Sequence, residues 1–170
     1  MRKWANGLDL SIVGHVEANA FQTGLPVQSF DLVHTRFALS VMQDGLGILD
    51  HMLTLVKPGG VVCVQEVNAT SMECDPPNDD WDRPVQLCRD TFECVGANVN
   101  LGASLRRRFL ELGIQAPSMK LCVHAQTSVE PMPMHVPLAL AAMRETNVSQ
   151  GLMEGNELVS LITRVADDLA

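Results

Sequence analysis

The stretch of sequence that decides the fold is GLPVQSFDLVHTR, residues 24–36, followed by LVKPGG, residues 55–60. Apolar side chains concentrate over residues 30–34, which predicts a short buried strand, and the glycine and proline before it indicate a loop. Asp44 then provides an N-cap for a helix that runs to about Val56, with leucines at three- and four-residue spacings. This part of the chain therefore predicts a strand followed by an amphipathic helix.

The KPGG motif, residues 57–60, is predicted to end that helix. It combines a lysine and a proline with two glycines, and residues 61–67 after it form a largely apolar run. Such a run is typical of a parallel strand whose two faces are both covered by helices. Because strand, helix and strand follow one another, the sequence predicts a βαβ unit and an α/β fold.

The rest of the chain adds two strands and four helices to this unit. The strands are predicted over residues 10–16 and 118–127. The helices are predicted over residues 82–95, 101–112, 136–147 and 154–169. The sequence contains no internal repeat and no low-complexity tract. We therefore expect a single domain over residues 1–170, with a mostly parallel sheet of about four strands, flanking helices and C-terminal helices.

Composition restricts the class of function. Apolar residues make up 46% and charged residues 19% of the chain, as in an ordinary globular protein. No apolar stretch reaches the roughly 20 residues that a membrane span needs, and Asn6, Gly7 and Asp9 interrupt any signal-peptide core. The net charge of -8 disfavours attraction to nucleic acid or to anionic lipid. These features predict a cytoplasmic protein that acts on a small molecule and binds neither nucleic acid nor a membrane.

Cysteine and histidine spacing predicts no metal site. The five cysteines have no CxxC pair, so neither a disulfide framework nor a zinc site is expected. His51, His124 and His135 lack the partner spacing of metal ligands.

The FDLV motif, residues 30–33, with Arg36 after it, and the KPGG motif resemble the middle of class I S-adenosylmethionine-dependent methyltransferases of small-molecule, secondary-metabolite type. The separation of the two motifs also agrees with that family. The resemblance implies a Rossmann-like methyltransferase fold, in which ligands bind outside the carboxyl ends of the strands. It further implies S-adenosylmethionine as the cofactor and methyl transfer to a small metabolite as the activity.

The same resemblance implies which residues bind the cofactor. In the family, a motif after the third strand contacts the adenine, and this place is taken here by Glu17, Ala18 and Asn19. Residues after the fourth strand line the pocket of the methyl donor and acceptor. That second place is taken by Thr35, Arg36 and Phe37.

One part of the family pattern is not found. Members begin with a strand and a glycine-rich turn of the GxGxG kind, which lets the backbone approach the cofactor. The glycines before Phe30 are Gly7, Gly14 and Gly24, and their spacing builds no such turn. By the family's strand order we therefore expect a truncated fold. The remaining strands would then close into a smaller sheet, or their open edges would be covered by a partner. That partner would be a second copy in a homodimer or a complex that supplies the missing strands.

Two side chains are candidates for proton transfer. His34 lies at a predicted strand end, and imidazole is the commonest general acid or base in enzymes. Glu66 ends the next predicted strand, where a desolvated carboxylate is a usable proton carrier. The structural alternatives are a hydrogen-bonded histidine and a carboxylate that caps the following turn. Asn68, Met72 and Trp81 are candidates for a substrate pocket under the acidic, proline-bearing loop of residues 73–80.

Three functions are compatible with these features. The first is S-adenosylmethionine-dependent methyl transfer, provided that the missing half is supplied. The second is a cofactor-independent cyclase or isomerase that acts on an apolar natural product, with His34 or Glu66 transferring protons. The third is a non-catalytic pseudoenzyme that associates with another methyltransferase.

Overall fold

The structure, a computed structural model, describes residues 13–77, 79–115, 117–125 and 135–168. A βαβ unit forms at the predicted place. β1 (Phe30–Arg36) leads through a short 3₁₀-helix (Leu39–Val41) to α1 (Gly45–Leu55), and β2 (Val56–Gln65) pairs with β1 in parallel. This arrangement confirms the α/β class and the Rossmann-like character of the fold.

The KPGG motif lies inside β2, which differs from the prediction that it forms a turn ahead of the strand. Gly59 has a φ of +81°, in the left-handed region that favours glycine. At Gly60 the two strands approach closely, since a Cβ there would lie 2.9 Å from the carbonyl oxygen of Asp31. The motif is therefore accommodated in the strand because glycines tolerate both the conformation and the close contact.

An ion pair joins the same two strands at the surface. The Lys57 ammonium lies 2.8 Å from the Asp31 carboxylate and holds the pKa of that carboxyl below its ordinary value, through a hydrogen bond and through charge. Both side chains are exposed to solvent, so this pair contributes little to stability.

Five further helices follow β2, and three of them agree closely with the predicted ones. In chain order the five are α2 (Asp79–Cys94), α3 (Leu101–Glu111), α4 (His135–Ala142), α5 (Arg144–Ser149) and α6 (Gly155–Asp168). The helix predicted over residues 136–147 is divided into α4 and α5 at Met143. None of the helices within the described ranges is long and apolar enough to cross a membrane.

The sheet has two strands among the described residues, where the sequence pattern predicts about four. Residues 13–16 and 117–125 belong to no strand, and residues 10–12 and 126–127 of those two predictions lie outside the described ranges. Residues 119–123 do alternate as a strand would, and Met119, Leu121 and Val123 are exposed. Alternation indicates an extended chain, but a strand also needs a partner to pair with.

The chain divides into two compact units. The first comprises the described residues of 13–33 and 47–62, and its buried apolar side chains include Ile48, Leu49, Met52 and Leu55 of α1. The second comprises the described residues of 34–46 and 63–168 and contains a larger core. That core is formed by α2, α4 and α6 together with the loop before α6, through Leu87, Leu140, Met153, Leu158, Leu161 and Val165.

Cys88 packs against this core, and burial raises the pKa of its thiol to about 12. A thiol with such a pKa stays protonated at neutral pH and is a poor nucleophile. We therefore assign Cys88 to packing.

A buried polar pair connects α2 to α5. The Thr91 hydroxyl lies 2.9 Å from Oδ1 of Asn147, and the Asn147 amide nitrogen donates to the carbonyl of Met143 at 3.0 Å. The exposed fractions of Thr91 and Asn147 are 1% and 0%, so water cannot replace either partner. The Thr91 hydroxyl also lies 2.6 Å from the Leu87 carbonyl oxygen, so it has a second acceptor, whereas Oδ1 of Asn147 has Thr91 as its donor among the described residues.

Asn147→Leu is expected to lower the free energy of unfolding by about 1–3 kcal/mol, because the Asn147 hydrogen bonds to Thr91 and to the Met143 carbonyl are lost, although the Thr91 hydroxyl can still donate to Leu87. Adding Thr91→Val should cost less than it does in the wild-type background, since in the wild-type background it leaves the buried Oδ1 of Asn147 without its donor. Urea denaturation of both single variants and the double variant measures this coupling, with Thr163→Val, at an exposed threonine of α6, as the control. Strictly additive losses would contradict the pairing.

Candidate functional site

The turn that follows β1 is held by the carboxylate of Glu66. Its Oε1 accepts hydrogen bonds from the backbone N–H groups of Ala38 and Leu39, at 3.1 and 2.9 Å. Its Oε2 accepts one from Ser40 at 3.2 Å. These amides open the 3₁₀-helix, where the first N–H groups have no carbonyl partner within the helix. A negative charge is also favoured at the N-terminal end of a helix, so the carboxylate fits this place in two ways.

Local backbone geometry brings Glu66 to this turn. The N–H of Phe37 donates to the carbonyl of Gln65 at 2.9 Å, which continues the pairing of the strands to the last residue of β2. On the other side, the N–H of Gly102 donates to the carbonyl of Val67 at 3.0 Å. A Cβ on Gly102 would lie 2.7 Å from the Val67 carbonyl oxygen and 3.0 Å from that of Glu66, so only glycine lets α3 begin this close to the chain after β2.

Arg36 and Phe37 are exposed at the carboxyl end of β1. The Arg36 guanidinium carbon lies 4.9 Å from the centroid of the Phe37 ring, a cation–π contact. Phe37 has a φ of +51°, in a region that L-residues rarely adopt. An exposed pair held by an unusual backbone conformation is the kind of feature that occurs at binding sites.

His34 is exposed on β1, two residues before Arg36. Because side chains alternate along a strand, His34 and Arg36 lie on the same face. The structure gives the His34 imidazole no hydrogen bond to any described residue, and so none to Glu66. Thr35, between them, is half-buried. The second unit therefore presents an imidazole, a guanidinium and a phenyl ring close together in sequence, with Glu66 bound to the turn next to them.

The residues assigned to adenine binding lie in the first unit, ahead of β1. Glu17, Ala18 and Asn19 are all exposed. The Asn19 side chain accepts a hydrogen bond from the Phe21 N–H at 2.9 Å, and Asn19 forms an isolated antiparallel bridge with Gln22. Asn19 therefore begins an exposed tight turn, and Glu17 and Ala18 precede it.

No direct hydrogen bond joins Asn68, Met72 and Trp81, the residues assigned to substrate binding. The Thr70 hydroxyl donates to Oδ1 of Asn68 at 2.7 Å, within the 3₁₀-helix at Ala69–Ser71. Met72 follows this helix and is half-buried. Trp81 lies on α2 and packs against the core of the second unit. A substrate pocket formed by these three side chains stays a prediction.

No sequence motif indicated the hydrogen bonds that join Thr23 to His51 in the first unit. The N–H of Thr23 donates to Nε2 of His51 at 3.0 Å, and the Thr23 hydroxyl lies 2.9 Å from the same nitrogen. A backbone N–H can only donate, so Nε2 is an acceptor and the ring is neutral, with its hydrogen on Nδ1. His51, on α1, thus anchors the loop that leads into β1.

His51→Phe is expected to accelerate the amide exchange of Thr23 by about tenfold, because losing one hydrogen bond costs about 1 kcal/mol and leaves a partly buried donor unpaired. Hydrogen exchange followed by NMR measures this effect. The matched control is His15→Phe, which replaces an exposed histidine that has no hydrogen bond to another described residue. Equal exchange rates for Thr23 in the two variants would contradict the hydrogen bonds between Thr23 and His51.

The described residues do not fit the amino-acid portion of S-adenosylmethionine by themselves. A Cβ on Gly14 or Gly24 would meet no atom within 4 Å, so neither glycine provides close backbone approach. The N–H groups from Phe37 to Ser40 already donate to Gln65 and Glu66 and are not free for a ligand. Side chains, in particular those of Arg36 and Phe37, are therefore the groups that this turn offers to a ligand.

Metal binding has no geometric support in the described part of the chain. No three histidine, cysteine, aspartate or glutamate side chains there are placed so that they could share a metal ion.

Comparison with known proteins identifies the family. Residues 4–133 match a family model described as a methyltransferase domain. This range of the chain includes β1, α1, β2 and Glu66. A search of curated proteins gives no match. The family match covers more than half of the 170 residues. The chain therefore belongs to the class I S-adenosylmethionine-dependent methyltransferase family.

Proposed function

We propose that this protein takes part in S-adenosylmethionine-dependent methyl transfer to a small molecule of secondary metabolism. The observation that carries the proposal is the methyltransferase match over residues 4–133. The position of His34, Arg36 and Phe37 supports it, since ligands of open α/β sheets bind at the carboxyl ends of strands. The net charge of -8 supports a small acceptor over a polyanionic one.

In this proposal the side chains at the carboxyl end of β1 act on the acceptor. S-adenosylmethionine supplies the methyl group when it is bound. His34 would accept the proton that a hydroxyl or amine acceptor releases, since an exposed imidazole without a hydrogen bond to a described residue is free to do so. Arg36 would orient an anionic or carbonyl group of the acceptor or cofactor. A glycine-rich turn from outside the described residues would complete the cofactor site.

Calorimetric titration of the full chain with S-adenosylhomocysteine tests the proposal. We expect saturable heat, and about tenfold weaker binding for Arg36→Ala, because a hydrogen bond to a charged group contributes about 1.5–3 kcal/mol. Arg107→Ala is the control, since Arg107 lies exposed on α3 and forms only a long ion pair with Glu111. The absence of heat at millimolar ligand, alone and with a full-length methyltransferase added, would overturn the proposal.

A cofactor-independent cyclase or isomerase acting on an apolar natural product is the second candidate. Two observations favour it. The turn amides donate to Glu66, and a Cβ on Gly14 or Gly24 would meet no atom within 4 Å, while His34 is exposed. Turnover that persists without S-adenosylmethionine and disappears in His34→Ala would support this candidate over methyl transfer.

We also propose that the protein is cytoplasmic and forms a homodimer. Leu32 of β1 and Val61 of β2 are 58% and 56% exposed, and apolar side chains on strands that lack cover are typical of surfaces that associate. Light scattering after size exclusion measures the mass. A monomer at micromolar concentration would contradict the homodimer, and a complex formed only with a separate methyltransferase would support the pseudoenzyme role.

A further inference from the structure

We propose that Glu66 is a positioning residue, whose carboxylate sets the geometry of Arg36 and Phe37 and does not itself carry a proton. The inference rests on the proposed function for the identity of the ligand. The part of the inference that concerns the conformation of the turn is tested without any ligand.

The hydrogen bonds of Glu66 occupy both of its oxygens. Oε1 accepts from two amides and Oε2 from a third. Backbone N–H groups can only donate, so they require an acceptor at each oxygen. A proton on either oxygen would weaken at least one of the three bonds, and an acid or base that changed its protonation in each cycle would release the turn each time. The geometry therefore suits an anchor that keeps all three hydrogen bonds.

The anchored turn supports an unfavourable conformation at Phe37. A non-glycine residue in the left-handed region costs about 1 kcal/mol or more, and it persists only where the surroundings hold it. Here Phe37 is held on one side by its bond to Gln65 and on the other by the three amides bound to Glu66. Without the carboxylate, Phe37 is free to relax toward the extended region, which would separate its ring from the Arg36 guanidinium.

The frame around Glu66 is rigid enough for this role. The N–H of Asn98 donates to the Ser40 carbonyl at 3.0 Å, which fixes the far end of the turn. The start of α3 packs directly against the backbone of Glu66, as the contact at Gly102 shows. The side chain of Glu66 therefore bridges two fixed parts of the second unit.

Glu66→Gln is the decisive variant, since glutamine keeps the shape and replaces one acceptor oxygen by an amino group that cannot accept a hydrogen bond from an amide. We expect the amides of Ala38, Leu39 and Ser40 to exchange at least about tenfold faster in NMR hydrogen exchange. The ring-current shift of the Arg36 side-chain protons should move toward its unfolded value. Glu93→Gln, at an exposed glutamate of α2, should change neither quantity, and the amide of Leu158 should be unaffected in both variants.

A role limited to general stability would leave the Arg36 shift unchanged in a folded variant. Unchanged exchange at the three amides together with an unchanged Arg36 shift would overturn the inference. If Glu66→Gln does not fold, Glu66→Asp provides the same test, because it keeps the charge but is one methylene too short to reach all three amides.

Titration with S-adenosylhomocysteine separates this inference from the proposed function. We expect Glu66→Gln to weaken binding by about tenfold and Arg36→Ala to add nothing in that background, because both act on the same contact. Fully additive losses would overturn positioning through Arg36. If the wild-type protein binds no S-adenosylhomocysteine, the proposed function fails, and the exchange rates and the Arg36 shift still decide the role of Glu66.

Discussion

Gly45→Ala is expected to destabilise the protein by about 2–3 kcal/mol, the range found when a side chain is forced into a space that is already filled. A Cβ at this position would lie 1.9 Å from the carbonyl oxygen of Leu39 and 2.7 Å from its carbonyl carbon. These are backbone atoms, so no rotamer change relieves the clash. The Leu39 side chain is fully buried and its N–H is bound to Glu66, which leaves the turn little freedom to move.

Urea denaturation followed by circular dichroism measures this loss. The control is Gly14→Ala, because a Cβ on Gly14 meets no atom within 4 Å and its φ is not positive. Equal unfolding midpoints for the two variants would contradict the close approach of α1 to the 3₁₀-helix. Combined with Glu66→Gln, the Gly45→Ala substitution should cost less than alone, since a released turn can move away from the added methyl group.

The βαβ unit was predictable because its signals are local. The apolar run of FDLV and the leucine spacing of α1 both act within a few residues of the element that they specify. The position of KPGG inside a strand was harder to predict, because two glycines next to a proline usually end a helix. Their inclusion in β2 depends on the close approach of β1 at Gly60, which no local pattern indicates.

The positions of Arg36, Phe37 and Glu66 in the fold were predictable, and their contacts were not. The predicted strands place these residues at strand ends, and in the structure Arg36 ends β1, Phe37 follows it and Glu66 follows β2. The bonds from Glu66 to the turn join residues 26 to 28 positions apart, and the bond from Thr23 to His51 spans 28 positions. Contacts at this separation follow from the fold. The sequence alone therefore left open whether Glu66 carries a proton or caps the turn.

Leu158→Ala is expected to lower the free energy of unfolding by about 3–4 kcal/mol, the largest effect of any substitution considered for the core. Leu158 is fully buried in the cluster that α2, α4 and α6 form, together with Leu140 and Leu161. Removing its side chain loses the transfer free energy of the buried methyl groups and leaves a cavity that rigid helices fill only in part.

The adjacent Val159 is 44% exposed on the same helix and provides the matched control. Val159→Ala should change the free energy of unfolding by less than about 1 kcal/mol, because removing partly exposed methyl groups takes away little buried apolar area. Leu158→Met, which conserves volume, should cost less than about 1.5 kcal/mol. If Leu158→Ala and Val159→Ala unfold at the same urea concentration with equal m-values, α6 does not pack as described. If only the Leu158 variant shifts, the side chain of Leu158 packs in the core with α2 and α4 as described.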